Sequence, residues 1–390
     1  MADTLENPEE TSHMNLIIPM DSNRPTRAEV RINALYRNFS IIKNLAGSAK
    51  IMAIVKADAY GHGLLRMAQE FEKLGAAYLG VALVEEGVFL RKNNISLPIL
   101  VLGPLAQHQI SDFITYNLDV TVPSLEKARA ISEEALQLGR TARIHIKIDT
   151  GMGRIGMQWN RNVIETIKTI IALPQLSLEG IFSHFACADT NPAVTNEQIA
   201  RFSNIIAECK RIIDKPFLAH IANSAGLIQY PHALFDMVRP GIALYGYNPV
   251  PENSLKLEPV LRLMSRVAYF KVVDAGISIS YGHTYTVSQP TRIVTIPIGY
   301  ADGYSRCFSN RAPVIIRGKT YTVTGIVCMD QLMVDIGPDG TAYNGDDVLL
   351  FGIKNGDAIQ LETLCTIAQT IPYELLCRIS SRVPRIYVDE

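Results

Sequence analysis

The sequence predicts a two-domain α/β protein: an N-terminal (β/α)8 TIM barrel followed by a C-terminal, mostly antiparallel β domain. Three observations carry this reading. From about residue 28 to 255, short apolar runs alternate with amphipathic stretches, which implies a parallel sheet covered by helices. Eight such runs fall within about 220 residues, the size of a barrel of this kind. Beyond about residue 256 the strands follow one another across turn residues without long helical spacers, the pattern of an antiparallel β domain.

The eight runs are IMAIV (51–55), YLGVALV (78–84), PILVLG (98–103), LDVTV (118–122), ARIHIKI (142–148), LSLEGIFSHF (176–185), LAHI (218–221) and DMVR (236–239). LLRMAQEFEKLG and SLEKARAISEEALQLG are typical of the helical spacers. The second opens with Ser124 and has Lys127 where a capping box wants Glu, although Glu126 favours a helix start. Periodicity alone leaves a doubly wound open sheet as the competing arrangement. The absence of GxGxxG after the first run weighs against its dinucleotide-binding version. In the second domain RVAYFKVV, RIVTIPIGY, PVIIRG, YTVTGIVCMD, LMVDIG and DVLLFG read as strands, and ETLCTIAQTIPYELLCRIS reads as helix. The expected boundaries are a flexible acidic tail at 1–26, the barrel at 27–255 and the β domain at 256–390.

Composition narrows the function. The 390 residues suffice for two domains, and 48% hydrophobic against 19% charged residues supports a large core. Lys and Arg total 37 against 38 Asp and Glu, which gives no electrostatic case for nucleic acid or an acidic membrane. The six cysteines form no CxxC pair, so neither a zinc site nor a disulfide framework is indicated, and no metal is expected. The N-terminal residues lack the basic start and long apolar run of a secretory signal, and no stretch reaches transmembrane length. A cytoplasmic protein with reduced thiols is the expectation.

Chemistry in such a barrel sits at the C-terminal ends of the strands. Strand one ends at Lys56. Strand five runs into KIDTGMGRIG, with Lys147, Asp149 and Arg154. Strand six ends at His184, strand seven at Asn223 and Ser224, and strand eight at Arg239 before PGIALYG. Each residue has an ordinary explanation: a solvated lysine, a packed histidine, an ion-paired arginine, plain turn chemistry at Ser224 and Gly241. Their convergence on one predicted face is the stronger signal. A partly desolvated amine near other cations loses its proton more easily and becomes nucleophilic. Backbone amides after strands seven and eight form the common phosphate pocket of these barrels. A reactive lysine opposite a phosphate site suggests pyridoxal phosphate.

With these residues in place, the chain resembles the alanine racemases, fold-type-III pyridoxal-phosphate enzymes. VKADAYGHG, DTGMGRIG, VRPGIALYG, SYGHTY, IPIGYADG and CMDQ match the family's motifs in the same order, over about residues 28–388. The resemblance implies that Lys56 carries pyridoxal 5'-phosphate as a Schiff base and is one of two acid–base groups. Tyr281, contributed by the partner subunit of a homodimer with shared active sites, would be the other. Tyr60, Ser224, Gly241, Ile242 and Tyr373 would hold the phosphate. Arg239 would face the ring nitrogen, with His184 close to Arg239 and Tyr281. Arg154 and the Met329 backbone would receive the substrate carboxylate. Lys147 matches a lysine often carbamylated in the family, and Tyr300 and Asp330 match positions lining the substrate entrance.

The activity implied is interconversion of L-alanine and D-alanine by two-base proton transfer, supplying D-alanine for peptidoglycan. Retention of Tyr373 favours alanine over serine, with serine a slower substrate. Rival readings are a serine-accepting racemase, a fold-type-III amino-acid decarboxylase, a non-catalytic carrier of the cofactor, and a Schiff-base aldolase without one. The decarboxylase would bring a catalytic cysteine with an acidic partner. Cys328 is present in CMDQ, but the rest of that pattern is not.

Overall fold

The structure, a computed structural model, describes residues 23–160, 162–250 and 252–390; residues 1–22 of the expected tail lie outside these. The described chain divides into two compact units. The first comprises Glu29–Arg262, Phe351–Cys377 and Tyr387–Glu390. The second comprises residues 23–28 with Leu263–Leu350 and Arg378–Ile386.

The first unit contains eight parallel strands: β1 (Lys50–Ile54), β2 (Tyr78–Val81), β3 (Ile99–Val101), β4 (Asp119–Val122), β5 (Ala142–Asp149), β6 (Leu176–Phe182), β7 (Leu218–His220) and β8 (Met237–Val238). Each corresponds to one apolar run of the sequence. The strands pair in order from β1 to β7, and β8 pairs with β1. Asp236 N–H donates to Ala219 O at 3.0 Å, and Arg239 N–H to Ala222 O at 2.8 Å. The segment carrying β8 is thus bonded on both sides, and the ring is a nearly closed TIM-type barrel. That arrangement removes the open-sheet alternative, which needs free edges. The strands read as continuous apolar runs because both faces are covered: Met52, Leu79, Ile144 and Ile181 are all fully buried.

The helices form for local reasons. Helix Leu125–Gln137 buries Ala128, Ile131, Ser132 and Ala135, the spacing of one helical face. Ser124 caps it, accepting from the Lys127 N–H at 3.2 Å, so the cap forms without the Glu of a capping box. Gly139, at φ +60°, follows its end. Segment 362–380, expected to be helical, carries two helices, Leu361–Ala368 and Pro372–Cys377, which end before Arg378, and both belong to the first unit.

One element departs from the expected strand-to-turn exit. Residues Ala57, Asp58, Ala59 and Tyr60 all have positive φ, between 52° and 55°, so the chain after Lys56 makes a left-handed helical turn. For L-residues that conformation costs roughly 1–2 kcal/mol per residue. It persists only where surrounding contacts over-determine it.

In the second unit five strands follow: β9 (Tyr269–Val273), β10 (Thr291–Ile296), β11 (Pro313–Ile316), β12 (Lys319–Thr324) and β13 (Leu332–Asp335). They pair antiparallel in the order β9–β10–β13–β12–β11. Strand β14 (Asp347–Lys354) joins next to β11 through Val348 and Leu349. This is the mostly antiparallel domain expected. CMDQ, which lay in one of the expected strand runs, is loop, and the next strand starts at Leu332. Among the described residues no helix is long and apolar enough to cross a membrane.

Candidate active site

A cavity of about 320 Å³ opens among the C-terminal ends of the barrel strands. That volume suits a small ligand. Lys56, Tyr60, Lys147, Arg154, His184, Ser224, Arg239, Gly241, Ile242 and Tyr373 all line it. The structure thus gathers ten of the residues singled out in the sequence around one space. Tyr373 reaches it from helix Pro372–Cys377.

Charge is the first property of this cavity. Four cationic side chains, Lys56, Lys147, Arg154 and Arg239, line it, and no carboxylate does. Burial, then the nearby Arg154 charge, pushes the Lys56 amine below the usual lysine range. Burial and the Arg239 charge hold the Lys147 amine well below it. Neither the Lys56 amine nor the Arg154 guanidinium has a hydrogen bond or ion pair with another described residue. Lys147 donates to the Ile148 carbonyl at 3.2 Å and stands 5.0 Å from the Phe182 ring centre. Uncompensated cations in a confined space call for an anionic ligand.

One end of the cavity is rich in neutral donors and small groups. Asn223 Oδ1 accepts from Gly226 N–H at 2.9 Å and so opens the short helix Ser224–Gln229. Ser224 Oγ accepts from Gly241 N–H at 2.9 Å, tying the loops after β7 and β8 together. A Cβ added at Gly241 would sit 2.4 Å from Tyr60 Oη, so only glycine leaves that space open. Burial raises the Tyr60 phenol and pushes that of Tyr373 up to about 12, so both remain protonated donors at neutral pH. Hydroxyls, glycine and surplus positive charge fit a phosphate, and the unpaired Lys56 amine fits an aldehyde. By donor chemistry these residues suit pyridoxal phosphate.

Beneath this layer lies a buried polar chain. Arg239 Nη1 bonds His220 Nδ1 at 2.8 Å. His220 Nε2 lies 3.0 Å from His145 Nδ1, and His145 Nε2 lies 3.2 Å from Asp119 Oδ2. Arginine has only donors, so His220 Nδ1 must accept. His220 then donates through Nε2 to His145, and His145 donates through Nε2 to the carboxylate. The hydrogen bonds thus set both tautomers. Burial, reinforced by the Arg239 charge, keeps His220 well below the usual histidine range. Burial alone would raise the Asp119 carboxyl; hydrogen bonds from His145 and Arg143 outweigh it and hold it below the usual value. A Cβ at Gly180 would lie 2.4 Å from His145 Nδ1, so the β6 glycine makes room for the ring. Arg239 Nη2 also donates to Ser183 O at 2.7 Å and to His184 Nδ1 at 3.1 Å, which leaves the His184 proton on Nε2. Arg239 is therefore locked in place.

The loop bearing Arg154 is shaped by Asp149. Its Oδ1 accepts from the backbone amides of Gly151, Met152 and Gly153 at 2.9–3.1 Å. Those bonds outweigh burial and lower its pKa. Strand β5 places His145, Lys147 and Asp149 on one side by its two-residue period.

Tyr281, Met329, Asp330 and Tyr300 belong to the second unit. Tyr281, Met329 and Asp330 line one hollow there, and Tyr281 and Tyr300 border another. Tyr281 is 70% exposed, Met329 52% and Tyr300 44%. Asp330 pairs with Arg382 at 2.7 Å. All six cysteines are free thiols, and among the described residues no group of three or more His, Cys, Asp or Glu is placed to hold a metal ion. Reading strand ends alone misses His220, His145 and Asp119. The available signal was a polar residue at alternate positions inside the apolar runs ARIHIKI, LAHI and LDVTV.

Comparison with known proteins agrees with this geometry. The model of the alanine racemase N-terminal domain matches residues 30–249, and that of the C-terminal domain matches residues 260–387. Alanine racemase of Symbiobacterium thermophilum is 44% identical over 375 residues, which is 95% of this chain and 99% of that protein. A solved alanine racemase of Clostridium difficile superposes with a TM-score of 0.90 at 39% identity, covering 95% of this chain and 97% of that one. A histidine racemase of Leuconostoc mesenteroides superposes with a TM-score of 0.84 at 29% identity, covering 94% and 98%. On sequence and architecture, the chain belongs to the alanine racemase family.

Proposed function

We propose that this protein interconverts L-alanine and D-alanine with pyridoxal 5'-phosphate held on Lys56. The observation that carries this reading is the carboxylate-free cavity in which the Lys56 amine and the Arg154 guanidinium are both unpaired. Ser224, Tyr60, Tyr373 and the backbone at Gly241 and Ile242 would hold the phosphate. Bound there, the cofactor would supply a conjugated ring that accepts electron density from the substrate Cα when its proton leaves.

The protein's own groups do the rest. Arg154 would receive the substrate carboxylate. Lys56, with its pKa lowered by burial, moves the proton at one face of Cα. Tyr281, delivered by a second copy of the chain, moves it at the other. One base per face is what inversion at a single carbon requires. An unperturbed tyrosine has a pKa of about 10, so the base role needs a cationic neighbourhood. The Arg239 guanidinium, hydrogen-bonded to His184, would supply it to a tyrosine brought by a second copy. Arg239, a pure donor, would hold the ring nitrogen of that cofactor as an unprotonated acceptor, which would limit how far the ring draws electron density from Cα. The buried chain from Arg239 to Asp119 holds that donor still. Lys147, whose amine burial and the Arg239 charge hold well below the usual lysine range, is suited to carbamate formation with carbon dioxide, and a carbamate would orient Arg154. Tyr300 and Asp330 would line the substrate entrance.

Relatives of this fold are named for alanine and for histidine, so the side-chain pocket selects the substrate. Tyr373 and Tyr281 are bulky neighbours that favour a methyl group. A small pocket excludes one hydroxyl poorly, so serine is expected to react slowly. The test is purified protein with L-alanine in deuterated buffer. D-alanine carrying α-deuterium is the expected product. Loss of carbon dioxide from lysine or ornithine with no D-alanine would contradict the proposal, as would no reaction of any amino acid despite bound cofactor.

A further inference from the structure

We propose that Glu86 is a positioning residue for Lys56, acting as a carboxylate clamp on the left-handed turn that follows it. This rests on the reading of Lys56 as the cofactor lysine. Helix Val84–Lys92 follows β2, and Glu86 lies in its first turn. Its two oxygens divide between two loops. Oε1 accepts from Ala57 N–H at 2.7 Å, the amide of the peptide bond that leaves Lys56. Oε2 accepts from Ala82 N–H at 2.8 Å and from Leu83 N–H at 3.2 Å, at the exit of β2. One half-buried side chain thus ties the loop after β1 to the loop after β2.

The turn needs such a tie. Four consecutive non-glycine residues, Ala57 to Tyr60, are left-handed. Within the loop, Ala59 N–H reaches Val55 O at 2.8 Å and Gly63 N–H reaches Asp58 O at 2.9 Å. Asp58 Oδ1 accepts from Leu64 N–H at 2.7 Å. The last two bonds hold the far end of the turn, and the first spans Lys56 to Asp58 without engaging the Ala57 amide. Ala59 and Tyr60 are also buried, whereas Ala57 and Asp58 are exposed, so packing does not pin the near end. The Glu86 bond is what fixes the peptide plane next to Lys56, and with it the direction in which the lysine leaves the backbone. The same carboxylate opposes the lowering of the Lys56 pKa by burial and by Arg154.

A helix-capping role alone would account for the Ala82 and Leu83 bonds but not for the bond to Ala57. Glu86→Gln separates the two. An amide has one acceptor oxygen, so either the Ala57 arm or the β2-exit arm must face an NH2 group. Ser124→Ala serves as the control, because it removes a helix cap far from Lys56.

The experiment uses cofactor-free protein, pyridoxal phosphate and borohydride. Lys56 and the aldehyde join with loss of water, and hydride reduces the carbon–nitrogen bond to a stable secondary amine. The modified peptide is counted by mass spectrometry, and exchange of the Ala57 amide is followed in parallel. Glu86→Gln is expected to slow trapping at Lys56 by roughly tenfold or more, since a 1 Å misplacement commonly costs about a hundredfold. Ala57 exchange should quicken in the same variant. Ser124→Ala should lower the unfolding temperature and leave both readouts at the wild-type level. Trapping and Ala57 exchange at wild-type rates in Glu86→Gln would overturn the clamp. Equal slowing in Ser124→Ala would reduce it to general stability. No trapping at Lys56 in the unaltered protein would instead contradict the cofactor role of Lys56, leaving Ala57 exchange to decide the clamp.

Discussion

Lys147 shows how much a single residue can set against the native state. It is 3% exposed, it stands among cations, and its ammonium group's one hydrogen bond among the described residues is to the neighbouring carbonyl. Burial, with Arg239 adding to it and Asp149 opposing, places its native pKa well below that of the unfolded chain. Below the native pKa both states are protonated and the full penalty applies. As pH rises from there to the unfolded value of about 10.4, the penalty shrinks to nothing. Lys147→Met is therefore expected to stabilise the cofactor-free protein at neutral pH, in buffer free of carbon dioxide, by roughly 1–3 kcal/mol. The gain should fade towards pH 10. Denaturant titrations at several pH values check this, and a gain independent of pH would contradict it. At this scale the sequence was most informative where a strand ends. Lys56, His184, Ser224 and Arg239 are legible because barrel topology sends strand ends to one face. His145 and His220 were not, since a bond between residues 75 apart in sequence exists only once β5 and β7 are curled around one axis.

The elements carry both the fold and its strain. All eight barrel strands were legible from apolar runs, because a strand covered on both faces leaves that mark. The turn after Lys56 was not. ADAY contains neither glycine nor asparagine, so local propensity argues against left-handed backbone, and tertiary hydrogen bonds overrule it. Ala57 is exposed, so its side chain contributes little packing to offset that cost. Ala57→Gly is accordingly expected to raise global stability by up to about 1 kcal/mol, the left-handed cost relieved less the entropy glycine brings to the unfolded chain. A shift in the denaturant midpoint measures it, and a lowered midpoint would mean that left-handed strain is not stored at this position. Segment 351–377 shows a different limit. Its helices were legible, but their membership of the barrel unit depends on contacts that no local pattern records.

At the scale of the whole molecule, the candidate site residues divide between the two units. The barrel unit holds Lys56 and the proposed phosphate-binding groups, and the second unit holds Tyr281, Met329, Tyr300 and Asp330. On the proposed reading, the exposed Tyr281, Met329 and Tyr300 would be covered by a second copy of the chain, one copy supplying Lys56 and the other Tyr281 to each active site. The most direct test of this account is complementation between two inactive variants. Lys56→Ala should lose lysine-bound cofactor, and Tyr281→Phe should keep it while losing proton transfer at one face of Cα. Neither alone should form D-alanine from L-alanine at an appreciable rate. Co-expressed in equal amounts, half of the dimers are mixed and each has one intact site of two, so about a quarter of the wild-type rate should return. No recovery in the mixed dimers, or near-normal racemisation by Tyr281→Phe alone, would contradict the two-base, shared-site account.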